Sequence, residues 1–144
     1  GRHDSYPRRR GMTRVPELMA AGMTVAFGQD CVMDPWYSLG SGDMLEVAHM
    51  GLHVAQMTSQ AGMRQCFDAV TVNPARILGL QGYGLDVGCQ ADFVLLQARD
   101  PIEAIRLRAA RLAVYRRGKR VAATPAASAR LSLPGRPASV SFMN

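Results

Sequence analysis

The stretch that decides the fold covers residues 23–30 and reads Met-Thr-Val-Ala-Phe-Gly-Gln-Asp. Its first five residues form a continuous apolar run with β-branched members, which favours a strand buried in a parallel sheet. A short helix precedes it, with Thr13 as the predicted cap and Pro16 in its first turn. Gly22 fits the left-handed position that ends helices. Helix, glycine turn and buried strand together predict an α/β unit.

Asp30 follows the predicted strand directly. Parallel α/β folds place their chemistry at this end of a strand. A carboxylate there can hold a metal-bound water and take its proton, as a hydrolase requires. The alternative is an aspartate that caps the following turn, and position alone favours neither interpretation.

Trp36 is the single tryptophan and lies in a predicted loop over residues 31–41. An aromatic side chain so close in sequence to Asp30 could stack on a flat heterocycle. A loop anchor packed into the core is the commoner use of such a residue, so position alone favours that alternative.

Asp43 and Glu46 have capping-box spacing and open the strongest predicted helix, with an apolar face that includes Leu45, Ala48 and Leu52. The rest of the chain alternates shorter predicted elements. These are helices at about 63–70, 73–79 and 100–109, a strand at 91–96, a β-hairpin at 112–123 and an irregular tail from residue 125. Asn73 and Asp100 are the predicted caps of the second and third of these helices.

His49 and His53 have the spacing that can place two imidazoles on one metal ion. The residues H-M-G-L-H lack the glutamate of H-E-x-x-H, so a solvated or subunit-facing helix surface is favoured. Three cysteines without CxxC spacing argue against disulfides and thiolate zinc sites, and indicate a reducing, cytoplasmic setting. The sequence also lacks a P-loop, a dinucleotide fingerprint, a nucleophile elbow and the zinc nucleobase-deaminase signature.

The chain is basic, with a formal net charge of +6. Arginines form a run at residues 8–10 and recur between residues 106 and 120. A nucleic-acid surface would interleave several aromatic side chains with these charges, but aromatic residues make up only 6% of the sequence. We therefore predict a solvated basic surface and no nucleic-acid partner. No apolar run reaches the length of a membrane span.

Two long segments resemble the bacterial cytosine-deaminase family of the amidohydrolase superfamily: V25-A-F-G-Q-D-C-V-M-D-P-W-Y-S-L-G40 and D43-M-L-E-V-A-H-M-G-L-H-V54. The segments N73-P-A-R-I-L-G-L80 and G88-C-Q-A-D-F-V-L-L96 are similar to amidohydrolases in general. The resemblance also covers residues 6–14 and the hairpin at 114–121, and it weakens after about residue 125.

The resemblance implies an α/β fold, namely the C-terminal part of a metal-dependent hydrolase (β/α)8 TIM barrel plus part of a small β-sandwich domain. Residues 1–81 would hold the last barrel strand and helices, and residues 82–124 the C-terminal part of the β-sandwich. Residues 125–144 would be an irregular tail. Because a full barrel takes roughly 250 residues, the 144 residues are expected to be the last third of such an enzyme.

The implied activity is metal-dependent hydrolytic deamination of cytosine to uracil and ammonia by a full-length, homo-oligomeric enzyme. The implied cofactor is one divalent metal ion, iron or zinc. Asp30 would be a metal ligand and the catalytic proton carrier, while Trp36 and Cys31 would bind the substrate. Cys31 would tune tolerance of ring substituents.

Other interpretations stay open. The substrate could be another cyclic amidine, such as isoguanine, creatinine or a triazine. The histidines of the family's metal site have no counterpart here, so the isolated chain is expected to bind no metal and to be inactive. A non-catalytic assembly module is the alternative from a different class.

Overall fold

The computed structural model describes residues 3, 5, 6 and 11–139. The arginine run at 8–10 and the tail residues 140–144 lie outside the described residues. The helices of this part are α1 (Val15–Ala20), α2 (Met44–Val54), α3 (Gln60–Asp68), α4 (Val72–Ile77) and α5 (Pro101–Leu107), and the strands are β1 (Phe93–Leu96), β2 (Arg111–Arg116) and β3 (Lys119–Ala123). Within these residues, no helix is long and apolar enough to cross a lipid bilayer.

Helix α2 begins at the cap that the sequence predicts. Asp43 Oδ1 accepts hydrogen bonds from the backbone N–H groups of Leu45, at 2.8 Å, and Glu46, at 3.3 Å. These bonds satisfy two of the N–H groups that a helix start leaves without partners. The Glu46 carboxylate does not complete a capping box, because it accepts a hydrogen bond from the Ser41 hydroxyl instead. The buried residues of α2 are Leu45, Ala48 and Leu52, on the predicted face.

Two shorter helices are confirmed but begin differently from the prediction. The N-cap of α1 is Arg14 rather than Thr13, while Gly22 takes the expected left-handed backbone with φ of +79°. Asn73, the predicted cap of α4, lies inside the first turn of that helix. Its side chain serves a distant partner, since Nδ2 donates to the Val25 carbonyl at 2.9 Å.

The predicted buried strand at residues 23–27 does not form in the described part of the chain. These residues belong to no sheet, and Met23 is 56% exposed. A strand needs a neighbour about 4.8 Å away, and this segment lies against helices instead. Phe27 N–H donates to the Ala69 carbonyl at 2.8 Å, and Asn73 bonds Val25, so helical residues satisfy part of its backbone.

The sheet seen in residues 3, 5, 6 and 11–139 is three-stranded and antiparallel, in the order β1-β2-β3. Phe93 pairs with Tyr115 across β1 and β2, and their rings stack with centroids 4.6 Å apart. Strands β2 and β3 form the predicted hairpin. Its turn residues, Arg117 and Gly118, both have positive φ, as a tight hairpin turn with right-handed strand twist requires. The predicted barrel is not seen in this sheet.

One apolar core joins the helices to the sheet-bearing half of the chain. Helix α5 lies between β1 and β2 in sequence, and it packs on α2 and α3. Ile105 of α5 is 1% exposed, as deeply buried as Ala48 of α2 and Cys66 of α3. The core cluster comprises Val15, Leu45, Ala48, Leu52, Met57, Cys66, Ala104, Ile105 and Ala109.

An ion pair reinforces this junction. Arg111, the first residue of β2, grips the Asp43 carboxylate with both terminal guanidinium nitrogens, one of them 3.0 Å from Oδ2. Burial opposes ionisation of Asp43, but Arg111 and the backbone N–H groups at the α2 start outweigh it and lower its pKa. Both side chains are about two-thirds buried, so solvent screens this pair less than a surface pair.

We predict that Ile105→Ala lowers the free energy of unfolding by about 2–5 kcal/mol, because it opens a cavity in the shared core. Ile77→Ala is the matched control, since Ile77 on α4 is 55% exposed. Urea denaturation of the complete gene product would measure both. Equal losses for the two variants would contradict the assigned core.

Candidate active site

An open cavity of about 800 Å³ lies between residues 25–30, the following loop and one side of α2. Asp30, Cys31 and Trp36, the three residues proposed from the sequence, all line it. Their neighbours on the cavity wall are mostly apolar, namely Val25, Phe27, Val47, Met50 and Val54. The structure therefore brings the predicted residues to one concave surface with an apolar wall, which is the usual form of a small-molecule site.

The wall between Phe27 and α2 depends on a close approach at Gly51. A Cβ at Gly51 would lie 2.6 Å from the Phe27 ring, which is too close for any real side chain. The ring therefore packs directly on the helix backbone. This contact fixes residue 27, three positions before Asp30, against a rigid element.

The loop that carries Trp36 is organised by Asp34. Asp34 Oδ1 accepts hydrogen bonds from the backbone N–H groups of Trp36, at 2.8 Å, and Tyr37, at 3.0 Å. These bonds lower the pKa of the Asp34 carboxyl, and the bond from Trp36 has the largest effect. The Asp34-Pro35 sequence is typical of such a turn, and this signal could have identified Asp34 from the sequence.

Trp36 does not anchor the loop in the core, so that alternative is wrong. Its side chain is 89% exposed, while its backbone is held by Asp34. A flat aromatic face presented on a hydrogen-bonded turn is available for stacking on a planar ligand.

The Cys31 thiol is half-buried between two carboxylates. Burial raises its pKa to about 11, and the Asp34 side chain, which accepts a hydrogen bond from the thiol, and the negative charge of Asp30 add to the shift. Cys31 is therefore a neutral thiol at neutral pH. Beside Asp30 it presents a small, weakly polar group rather than a nucleophile.

His49 and His53 contact each other edge-to-face, with ring centroids 4.8 Å apart. Burial, the Arg108 guanidinium and His53 lower the pKa of His49. His49 faces a second cavity of about 770 Å³ with Arg108 and Arg111, next to the α2 start. On the helix surface that was predicted to be solvated or subunit-facing, His53 is exposed while His49 is half-buried.

A metal ion would need more ligands than this part of the chain supplies. Among residues 3, 5, 6 and 11–139, no group of three His, Cys, Asp or Glu side chains could hold one. The described residues therefore do not fit the metal that the resemblance implies, and Asp30 could provide one ligand at most.

Comparison with known proteins identifies the family. The family model described as "Amidohydrolase family" matches residues 1–122 of this chain. The chain belongs to the amidohydrolase family. A 5-methylcytosine deaminase from Klebsiella pneumoniae, solved with phosphonocytosine, is 43% identical, with a TM-score of 0.82 over 88% of this chain. The predicted resemblance to cytosine-deaminase-like amidohydrolases is therefore confirmed.

Two curated relatives are named for other compounds. A pterin deaminase from Rhizobium rhizogenes is 35% identical over 78% of this chain. The N-isopropylammelide isopropyl amidohydrolase of Pseudomonas sp. (strain ADP) is 31% identical over 73% of it. The chain spans 26% of each of these amidohydrolases and 31% of the Klebsiella structure, so it corresponds to a limited part of each.

The raised pKa of Cys31 predicts slow alkylation. With a pKa of about 11 instead of 9.0, the thiolate fraction at pH 8 falls about a hundredfold, and iodoacetamide should react correspondingly slowly. Asp34→Asn removes a carboxylate that stabilises the thiol, so we expect faster alkylation. Mass spectrometry of the Cys31 peptide gives both rates. Alkylation of wild-type Cys31 as fast as that of a small-molecule thiol would contradict the assigned environment.

Proposed function

We propose that the protein carrying this chain hydrolytically deaminates a cytosine-type heterocycle, and that this chain provides one wall of the active site. The observation that carries the proposal is the shared cavity. Asp30, Cys31 and Trp36 line the same concave surface in a chain 43% identical to a 5-methylcytosine deaminase. The relatives named for pterin and for N-isopropylammelide support a nitrogen heterocycle as the substrate class.

Asp30 is proposed as the catalytic carboxylate. It takes the proton of the attacking water as the new C–O bond forms at the ring carbon. It passes this proton to the adjacent ring nitrogen. It then takes the remaining proton of the new hydroxyl group and delivers it to the amino group, so that the C–N bond breaks, ammonia leaves and the uracil-type product forms. Asp30 is exposed at the cavity rather than sealed in the core, so substrate can reach it.

Asp30 is also our proposed ligand for one divalent ion, iron or zinc. The other ligands would have to come from outside the described residues, which do not form a metal group themselves. The proposed architecture likewise needs elements from outside the described residues. Residues 23–27 would pair as the eighth strand of a (β/α)8 barrel, and residues 82–124 would form part of a β-sandwich, in a homo-oligomeric cytoplasmic enzyme.

Trp36 is proposed to stack on the substrate ring. Its exposed face and hydrogen-bonded backbone suit a planar, uncharged ligand. Aromatic stacking contributes about 0.5–1.5 kcal/mol beyond the buried area. This role explains why a large apolar side chain lies in the open cavity rather than in the core.

Cys31 is proposed to contact the ring substituents. A neutral thiol carries little desolvation penalty, so it can lie against a methyl group more readily than a carboxylate could. This favours cytosine and its 5-methyl derivative as substrates together. Isoguanine, creatinine and triazines are the alternative substrates. A non-catalytic assembly module is the alternative function, and measured turnover would exclude it.

The first test is Asp30→Ala in the complete gene product. We expect loss of at least 10³-fold in kcat with little change in thermal stability, because an exposed catalytic carboxylate is removed. Metal content by mass spectrometry should fall as well. Asp68→Ala, at the exposed end of α3, is the matched control. Kinetics like wild type for Asp30→Ala would refute the catalytic role.

The second test concerns substrate choice. Cys31→Asp places a charge beside the ring, so we expect kcat/KM for 5-methylcytosine to fall at least tenfold more than for cytosine. Cys31→Ser keeps a small neutral group and serves as the control. Ammonia release from a panel with isoguanine, creatinine and a triazine identifies the preferred ring. An unchanged preference in Cys31→Asp would contradict substrate contact.

A further inference from the structure

We infer that Gln29 is a positioning residue, whose side chain closes the loop of residues 29–42 and so holds Asp30 and Trp36 in a fixed relation. We call this segment the 29–42 loop. The inference rests on the proposed function, because it concerns how Asp30 is presented to substrate.

The two ends of the 29–42 loop approach each other, and we call this place its neck. Gln29 itself makes the first contact there. Its Oε1 accepts a hydrogen bond from the Gly42 N–H at 2.7 Å. Gly42 has a φ of +73°, a backbone that only glycine adopts readily, and it directly precedes Asp43, the cap of α2. The residue before Asp30 is therefore fastened to the start of a helix.

The second contact lies on the other side of Asp30. Gly40 is buried, and a Cβ there would come within 1.9 Å of the Cys31 carbonyl oxygen and 3.0 Å of the Val32 Cα. The chain segments at residues 31–32 and at residue 40 therefore meet backbone to backbone at the neck. Contacts through residues 29 and 31 flank Asp30, so its backbone is fixed from both directions.

The helix start that receives Gln29 is itself anchored. Asp43 caps α2 and is gripped by Arg111 from β2, with 3.0 Å between Arg111 Nη1 and Asp43 Oδ2. Two polar contacts, joined by the Gly42–Asp43 peptide bond, thus connect the sheet through the helix start to the residue before Asp30. Gln29 is the last link in this set and the one closest to the proposed chemistry.

The neck matters because the loop tip has little other support. Trp36 is 89% exposed, so core packing does not fix its side chain, and Asp34 orders the tip only locally. Opening the neck would let the tip move relative to Asp30. A displacement of about 1 Å in a positioning element can cost about a hundredfold in rate.

The test is Gln29→Ala in the complete gene product, with Gln65→Ala on the exposed side of α3 as the matched control. We expect kcat for cytosine or 5-methylcytosine to fall ten- to a hundredfold in Gln29→Ala. Time-resolved fluorescence anisotropy of Trp36, obtained by subtracting the signal of Trp36→Phe, should decay faster. Gln29→Glu keeps an oxygen acceptor for the Gly42 N–H, so its anisotropy decay should match wild type.

Each readout can overturn the inference separately. Unchanged anisotropy decay in Gln29→Ala would mean that the side chain does not close the loop. Unchanged kcat, with faster decay, would mean that closure does not position the catalytic group. In both cases the active wild type would leave the proposed function standing. A wild-type protein that deaminates no compound of the panel would overturn the proposed function, and the positioning role with it.

Discussion

The backbone of residues 23–27 has to find hydrogen-bond partners outside a sheet, and the rest of the site depends on how it does so. A buried N–H or C=O without a partner costs about 1–3 kcal/mol. Two partners come from the helical region that follows, where the Ala69 carbonyl receives Phe27 N–H and the Asn73 side chain reaches the Val25 carbonyl. These bonds, with the Phe27 ring on Gly51, fix the chain just before Asp30.

Elements with local signals were predictable from the sequence. Asp43 and Asp100 are caps whose side chains bond N–H groups two or three residues later, so a short window of sequence contains the information. The hairpin at Gly118 is equally local. Whether residues 23–27 form a strand was not predictable in this way, because strand formation depends on a partner that is distant in sequence. The predicted cap role of Asn73 was wrong for the same reason, since its side chain bonds Val25, 48 positions away.

The candidate site shows the same division between local and distant information. Asp30 and Trp36 could be proposed from their neighbours in sequence and from resemblance, and the cavity brings both together with Cys31. The roles of Gln29 and Gly51 were missed. Gln29 bonds Gly42, 13 residues later, and Gly51 is defined by the ring that packs on it. Neither residue type carries a sequence signal for such contacts.

The position of α5 has a consequence for how relatives of this chain can diverge. The helix is inserted between two strands of the sheet, yet Ile105 is buried with residues of α2, whose opposite side forms the cavity wall. Recombination that exchanged the sheet between two members of the family would also exchange part of the packing behind the active site. Chimeras joined between β1 and β2 should therefore inherit mismatched cores, whereas junctions before residue 44 would transfer the helices and the sheet as one unit.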